Sequence, residues 1–330
     1  MPTYIVLPII ALVAIALASI PQVSAFGLSA LPLAILLGMS YGHFSLRVED
    51  EKDHQFSHFC KQKMLRLGII LFGFGLSFQQ IVAVGWQAVG IDLVVITVIF
   101  SVGTFVGIKV FKLHRDVAIL TAAGSAICGA AAILATESVL KPKQQHITIA
   151  IATVVLFGTL AMFSYPFIYQ LVAMNDHTFG IYIGSTAHEV AQAVAAGQSI
   201  NVETMQTAVV VKLIRVMMLA PFIIMLSLVL TRLNRSDDAG SNEKSVVAIP
   251  WFVFGFMATA MINSMFVIPE IVKISFSFAS QFSLAMAMAA LGAHTRWATI
   301  KEAGPKPLLL ATLLFIMLIF GGFFLTSWLS

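Results

Sequence analysis

The sequence predicts an all-α, polytopic membrane protein, and three observations carry that prediction. Of 330 residues, 59% are hydrophobic and 10% charged, against about half apolar and a quarter charged in soluble domains. Mean hydropathy is +0.96. The apolar residues fall into about eleven runs, each close to the roughly 20 residues that cross a bilayer core, with short polar or Pro/Gly punctuation between them. A single integral membrane domain over 1–330 accounts for the chain and leaves no stretch for a separate soluble domain.

The expected helices are 4–20, 26–43, 64–83, 87–110, 116–140, 146–172, 178–198, 204–231, 249–267, 271–294 and 305–328. The first, Met1 to Ser19, lacks the basic flank of a secretory signal and reads as a retained helix, although Val23-Ser24-Ala25 imitates a cleavage site. The seventh carries Gly180, Gly184, His188, Glu189, Gln192 and Gly197, which suit lipid contact poorly. It is expected to be broken or re-entrant and shielded by protein.

The net charge of +4 and pI near 9.1 do not point to nucleic acid, because most basic residues lie in short loops between apolar runs. Arg47, Lys52, Lys61, Lys63 and Arg66 follow the second helix; Lys109, Lys112 and Arg115 the fourth; Arg232, Arg235 and Lys244 the eighth; Arg296, Lys301 and Lys306 the tenth. With eleven spans, the positive-inside rule sets the N-terminus inside and the C-terminus outside. Lys141 and Lys143 dissent, so either the rule is locally violated or the fifth span does not cross simply. Cys60 and Cys128 support neither a disulfide framework nor a zinc site.

Two internal resemblances appear. Leu67 to Phe78 and Leu284 to Thr295, each followed by an apolar helix, would run in opposite directions, as an inverted repeat requires. The pair 124–135 (GSAICGAAAILA) and 184–196 (GSTAHEVAQAVAA), two spans apart, would run parallel, which an inverted repeat does not explain.

Chemistry concentrates at membrane depth. Lys212 and Arg215 share one helical face near the bilayer centre, where each costs at least about 2.5 kcal/mol to bury. Two readings stand: an ion pair with Glu189 or Glu137, or an oxyanion site in which Arg supplies a planar fork and Lys a point charge. Gly124, Ser125, Cys128 and Gly129, with Gly184 and Ser185, mark places for a helix to break and offer backbone N–H groups to an anion. Close packing of small residues is the alternative. His188-Glu189-Val190-Ala191-Gln192 nearly spells the zinc motif H-E-x-x-H, but Gln192 replaces the second His and the metal reading fails. The cluster then reads as a proton-coupling relay or as a structural polar cluster. Asp92, Asn263, Gln281 and His294 are expected in structural or interfacial roles, Asp92 about 9 Å inside a helix that begins near Trp86.

Taken together, Leu67 to Phe78 and the stretches 124–133, 184–197 and 211–221 resemble the YeiH family of bacterial inner-membrane proteins. That family is commonly labelled a sulfate exporter and resembles the cation/proton antiporter and bile-acid symporter superfamily. The resemblance implies inverted repeats, with halves near 26–172 and 178–330, discontinuous helices crossing near the midplane, secondary transport, and a bacterial inner-membrane location.

The expected function is secondary export of a small inorganic or organic anion, sulfate or a sulfonate, coupled to protons or to the anion's own gradient. Gly124, Ser125, Cys128, Gly129, Gly184, Ser185, Lys212 and Arg215 would bind the anion, and His188, Glu189 and Gln192 would relay the proton. No cofactor or metal is expected, and no enzymatic activity. An anion channel is the alternative, and an intramembrane hydrolase ranks below it, because no G-x-S-x-G elbow is present. The absence of a P-loop argues against direct ATP drive. The partners are the anion and the lipid bilayer; a homo-oligomer is compatible with the sequence, which leaves oligomeric state open.

Overall fold

The computed structural model describes residues 2–20, 29–44, 51–234, 251–295 and 304–329, which form helices and short connections without a strand. The stretch Val23 to Ala25 and the basic residues Arg47, Arg235, Lys244, Arg296 and Lys301 lie outside the described residues. The helices are α1 Thr3–Ala18, α2 Ala30–Phe44, α3 Glu51–Phe59, α4 Leu65–Phe72, α5 Phe78–Lys109, α6 Arg115–Ala126, α7 Ala130–Leu140 and α8 Gln144–Leu171. They continue as α9 Asp176–Thr186, α10 Val190–Gln198, α11 Val202–Met217, α12 Leu219–Asn234, α13 Trp251–Met265, α14 Glu270–His294, α15 Pro305–Ile316 and α16 Gly322–Leu329. A π turn at Cys60–Met64 joins α3 to α4, and another at Met317–Gly321 joins α15 to α16.

Among the described residues, five helical stretches are long and apolar enough to cross a membrane: Val84–Lys109, Gln144–Leu171, Val202–Leu230, Glu270–His294 and Pro305–Leu329. Thr3–Ala18, Ala30–Phe44 and Trp251–Met265 are shorter apolar helices. Within Val202–Leu230 the chain turns at Met218, just before Pro221, whose ring cannot fit a helix interior without disturbing the preceding turn. The boundary expected between 83 and 87 falls earlier, at Leu76 and Ser77. Asn263 Nδ2 donates to Leu76 O at 3.0 Å and Phe78 N donates to Ser264 Oγ at 2.7 Å, so α13 takes up backbone groups freed by the break.

The fifth and seventh apolar runs do not cross. Each is a helical hairpin whose two ends lie on the same face of the molecule. At the base of α6–α7, His146 Nδ1 sits 3.2 Å from Asp116 Oδ2 and the rings of His114 and His146 are 4.3 Å apart, so the chain has returned to where it entered. At the base of α9–α10, Thr204 Oγ1 donates to Asp176 O at 3.2 Å, and Gly197 backs directly on the Cα of Met205. Because only α8 crosses between them, the two hairpins enter from opposite faces. The helices carrying the Gly-Ser motifs, α6 and α9, therefore point toward each other and are not parallel, a correction that follows from counting hairpins as spans. The pair α4 and α14 runs antiparallel as expected: Gly68 lies against Leu284, while Phe74 stacks on Phe276 at 4.4 Å.

These directions gather the described basic loops on one face. Lys109, Lys112 and Arg115 share it with Lys141 and Lys143, whose dissent disappears once α6–α7 returns to its starting side. Lys306 joins them, since Leu310 and Leu314 of α15 pack on Gly107 and Gly103 of α5. The opposite face carries Asp176, Glu203, Glu270 and Lys273.

Packing sorts the helices into two groups. One holds α1 to α4 with α13 and α14, where Gly38 and Gly42 back on the carbonyls of Ala289 and Ala293 and let α2 and α14 touch backbone to backbone. The other holds α5 to α12 with α15 and α16. The hairpin helix α10 reaches from the second group to α2 and α14 of the first.

Candidate substrate site where the hairpin tips meet

The tips, Ile127 to Gly129 and Ala187 to Glu189, touch each other: a Cβ on Gly129 would fall 2.6 Å from Glu189 Cγ. Both helices run through their Gly-Ser pairs and end one residue later, at Ala126 and Thr186. Gly124 and Gly184 serve close packing, the former against Ile133 and Val154 and the latter against Ala208 O and Val211. Gly129 makes the first turn possible, with φ +67° and ψ −133°, a conformation that side-chain-bearing residues rarely adopt.

A helix end in a water-free region leaves its last carbonyls unpaired and carries partial negative charge. Here α6 and α9 both end so, face to face, and α11 supplies the partners. Lys212 Nζ donates to Ile127 O at 2.7 Å and to Ala187 O. Arg215 donates through Nε to Ala126 O at 2.9 Å, through Nη2 to the same oxygen, and through Nη1 to Ser185 O. Each cation thus bridges the two tips. Both side chains are 0% exposed, about midway along the Val202–Leu230 stretch. The expected direct ion pair with Glu189 or Glu137 is replaced by these carbonyl contacts.

The positive ends are also covered. Glu189 is the N-cap of α10 in a capping box: its carboxylate accepts from the backbone N–H of Gln192, and Gln192 Oε1 accepts from Glu189 N at 3.1 Å. The same carboxylate faces the N–H of Ala130, the first residue of α7. One acid therefore serves the N-termini of both returning helices, and the backbone N–H groups expected to greet an anion are in contact with Glu189. Gln192 fits only because Gly158 of α8 has no side chain, since a Cβ there would sit 2.3 Å from Gln192 Oε1. His188 is buried with Nδ1 unpartnered, and the Ser125 and Ser185 hydroxyls are likewise unpartnered. Cys128 is buried at the tip beside Lys212 and Arg215. All the residues expected at the site are thus brought to one crossing.

Sequence reasoning missed Asp92. It is 0% exposed, and both carboxylate oxygens lack a hydrogen-bond partner. Arg215 and Lys212 are the cations acting on it, and the Ser185 hydroxyl lies beside it short of good hydrogen-bond geometry. The interfacial placement fails because α5 begins at Phe78, which sets Asp92 about 21 Å along the helix. The signal in the sequence was that Asp92 is the one acidic residue in the apolar run 87–110; that it lies with Ala88, Ile91, Val95, Ile96 and Ile99 on the buried side of α5, away from exposed Leu93 and Val94, shows only in the structure.

On the face opposite the basic loops, a cavity of about 430 Å³ is lined by Leu76, Val84, His177, Val202, Glu203, Gln206, Thr207 and Val210. Val84 and Asp92 lie about two turns, roughly 12 Å, apart on one face of α5. Ala88 and Ile91, both 0% exposed, fill the space between along that helix. Tyr165 and Tyr182 pack edge to face at 5.5 Å beside α9, and Tyr165 shares a hydrogen bond with Thr186 at 2.9 Å.

Comparison with known proteins places this arrangement in a family. The family described as Conserved hypothetical protein 698 matches residues 2–311. The UPF0324 inner membrane protein YeiH of Escherichia coli K12 is 48% identical over 306 residues, covering 92% of this chain and 87% of the relative. YeiH of Salmonella typhi is 47% identical over 306 residues, with the same coverage. A UPF0324 membrane protein of Pseudomonas aeruginosa is 44% identical over 308 residues, covering 91% of this chain and 86% of the relative. No solved structure matches. With a family match across most of its length and close relatives over nine-tenths of it, the chain is a multi-pass helical membrane protein that belongs to the UPF0324 (YeiH) family.

Proposed function

We propose that this protein is a secondary transporter of a small oxyanion, sulfate or a sulfonate, working by alternating access in the bacterial inner membrane. The observation that carries this reading is the meeting, at the centre of the molecule, of two hairpins from opposite faces on a fully buried Lys212–Arg215 pair. Buried cations and interrupted helices are expensive in a bilayer, and their most common use is a substrate path. Unpartnered Ser125 and Ser185 hydroxyls at the same place supply donors for an oxyanion. The 430 Å³ cavity is an entrance from one face, closed short of the site by Ala88 and Ile91. The antiparallel pairs α4 with α14 and α6 with α9 support an inverted duplication, which would give the opposite face an equivalent entrance in a second state. YeiH of Escherichia coli is named an inner membrane protein, which supports that location here. The basic loops support an orientation with that face, and the N-terminus, in the cytoplasm.

The test is radiolabelled sulfate flux in proteoliposomes under an imposed pH gradient, wild type against Arg215→Lys. The conservative variant retains a charge but loses the planar fork that reaches Ala126 and Ser185. Saturable, gradient-dependent flux that falls at least tenfold in the variant is expected. Ohmic, non-saturable current would replace the transporter reading with a channel. Wild type silent to sulfate but thermally stabilised by another oxyanion would remove the sulfate assignment alone.

A further inference from the structure

Asp92 is a buried carboxylate at the crossing with no hydrogen bond to either oxygen. The groups facing it are Arg215 and Lys212 from α11 and the Ser185 hydroxyl from α9. Around the same cations lie Cys128 of the first tip, Glu189 of the second and Tyr165 of α8, with His188 buried beside Glu189 in that second tip. Glu189 is engaged by two helix N-termini, so it is poorly placed to gain and lose charge without unseating them. Asp92 caps nothing.

The donors near it are not used up. Arg215 spends one hydrogen on each of its three nitrogens, which leaves one N–H on each Nη. Lys212 spends two hydrogens and, as an ammonium, keeps one. With the unpartnered Ser125 and Ser185 hydroxyls, these are unused donors at the crossing that also holds the Asp92 carboxylate. An oxyanion and an ionised Asp92 in that space would repel at low dielectric. A protonated Asp92 would instead add an O–H donor to the set. Arg215 keeps its charge at any working pH, so Asp92 is the natural place for the change.

We infer that Asp92 couples anion binding to protonation. One proton moves from water onto a carboxylate oxygen of Asp92 as the oxyanion binds to the free donors of Arg215 and Lys212, and both leave together. This rests on the anion-transport reading, and the experiment separates the two. Sulfate binding to the purified full chain is measured calorimetrically at about pH 6 and about pH 8, with proton uptake read from buffers of different ionisation enthalpy. Wild type should bind more tightly at low pH, by up to about tenfold per unit, the slope of one linked proton. Asp92→Asn should bind with an affinity independent of pH, and in vesicles it should exchange sulfate for sulfate but lose accumulation driven by a pH gradient. A pH slope that survives in Asp92→Asn would assign the proton to Lys212, His188 or Glu189 and overturn the inference, leaving transport intact. PH-independent binding by wild type, or zero proton uptake, would overturn it as well. Wild type that neither binds nor moves sulfate would remove the anion reading itself. Should Asp92→Asn fail to purify as a folded protein, the wild-type proton count decides alone.

Discussion

Gly129 holds φ +67° directly under Glu189, so any side chain there meets both a strained backbone and the carboxylate that caps two helices. Gly129→Ala should cost roughly 1–3 kcal/mol and lower the thermal unfolding midpoint in detergent. An unchanged midpoint would mean that the tip relaxes freely. Arg215→Ala should cost more, because it strands buried carbonyls at about 1–3 kcal/mol each. Loss of transport in that variant is therefore informative only beside its melting curve. Lys212 and Arg215 were legible in the sequence because two charges three residues apart cannot face lipid. Their partners were not, since a carbonyl at a helix end looks the same in sequence as any other. Asp92 was legible in principle, as the one acid in the apolar run 87–110, but a single polar residue near an assumed helix start fits an interfacial role equally well.

At the scale of elements, the hairpins make a topological prediction. With all native cysteines buried, single cysteines at exposed Lys112 and Lys143 should label with a membrane-impermeant maleimide from the same side, and one at exposed Ala173 from the other. Labelling of 112 and 143 from opposite sides would restore a crossing fifth span and refute the hairpin. The apolar runs themselves could be read from composition, and the helices match them within a few residues except at the 76–77 break. Whether a run crosses or returns was legible only in part: polar residues marked 178–198 as broken or re-entrant, while Lys141 and Lys143 left the fifth run open between a crossing and a return. Ile127 to Gly129 and Ala187 to Glu189 hold as turns because groups far away in sequence, on α11, donate hydrogen bonds to the carbonyls at the ends of the helices they interrupt.

For the whole molecule, alternating access requires the α1–α4/α13–α14 group to move against the rest, with α10 between them. The Ser29 and Ser199 hydroxyls lie 3.2 Å apart across that boundary. A Ser29→Cys/Ser199→Cys pair should cross-link on oxidation and stop flux, with recovery on reduction; full flux in the oxidised form would exclude this boundary as the moving one. The ends of the chain face opposite ways: Thr3 N donates to Asp53 at 2.8 Å near the basic face, and Gln87 donates to Leu329 O at 2.7 Å near the other. A fluorescent reporter that matures only in the cytoplasm should light at the N-terminus and stay dark at the C-terminus, and the reverse would invert the orientation. By itself the sequence determined the membrane class, the apolar runs, the basic loops and the buried Lys212–Arg215 pair, because each follows from hydrophobic length and from the cost of charge in lipid. Tertiary structure alone decided that the fifth segment returns as well as the seventh, which face each hairpin enters, and that Lys212, Arg215 and Glu189 neutralise helix ends while Asp92 stands without a hydrogen bond. Those outcomes depend on pairing between backbone groups and side chains that are 25 to 89 residues apart in the chain, and no local pattern encodes it.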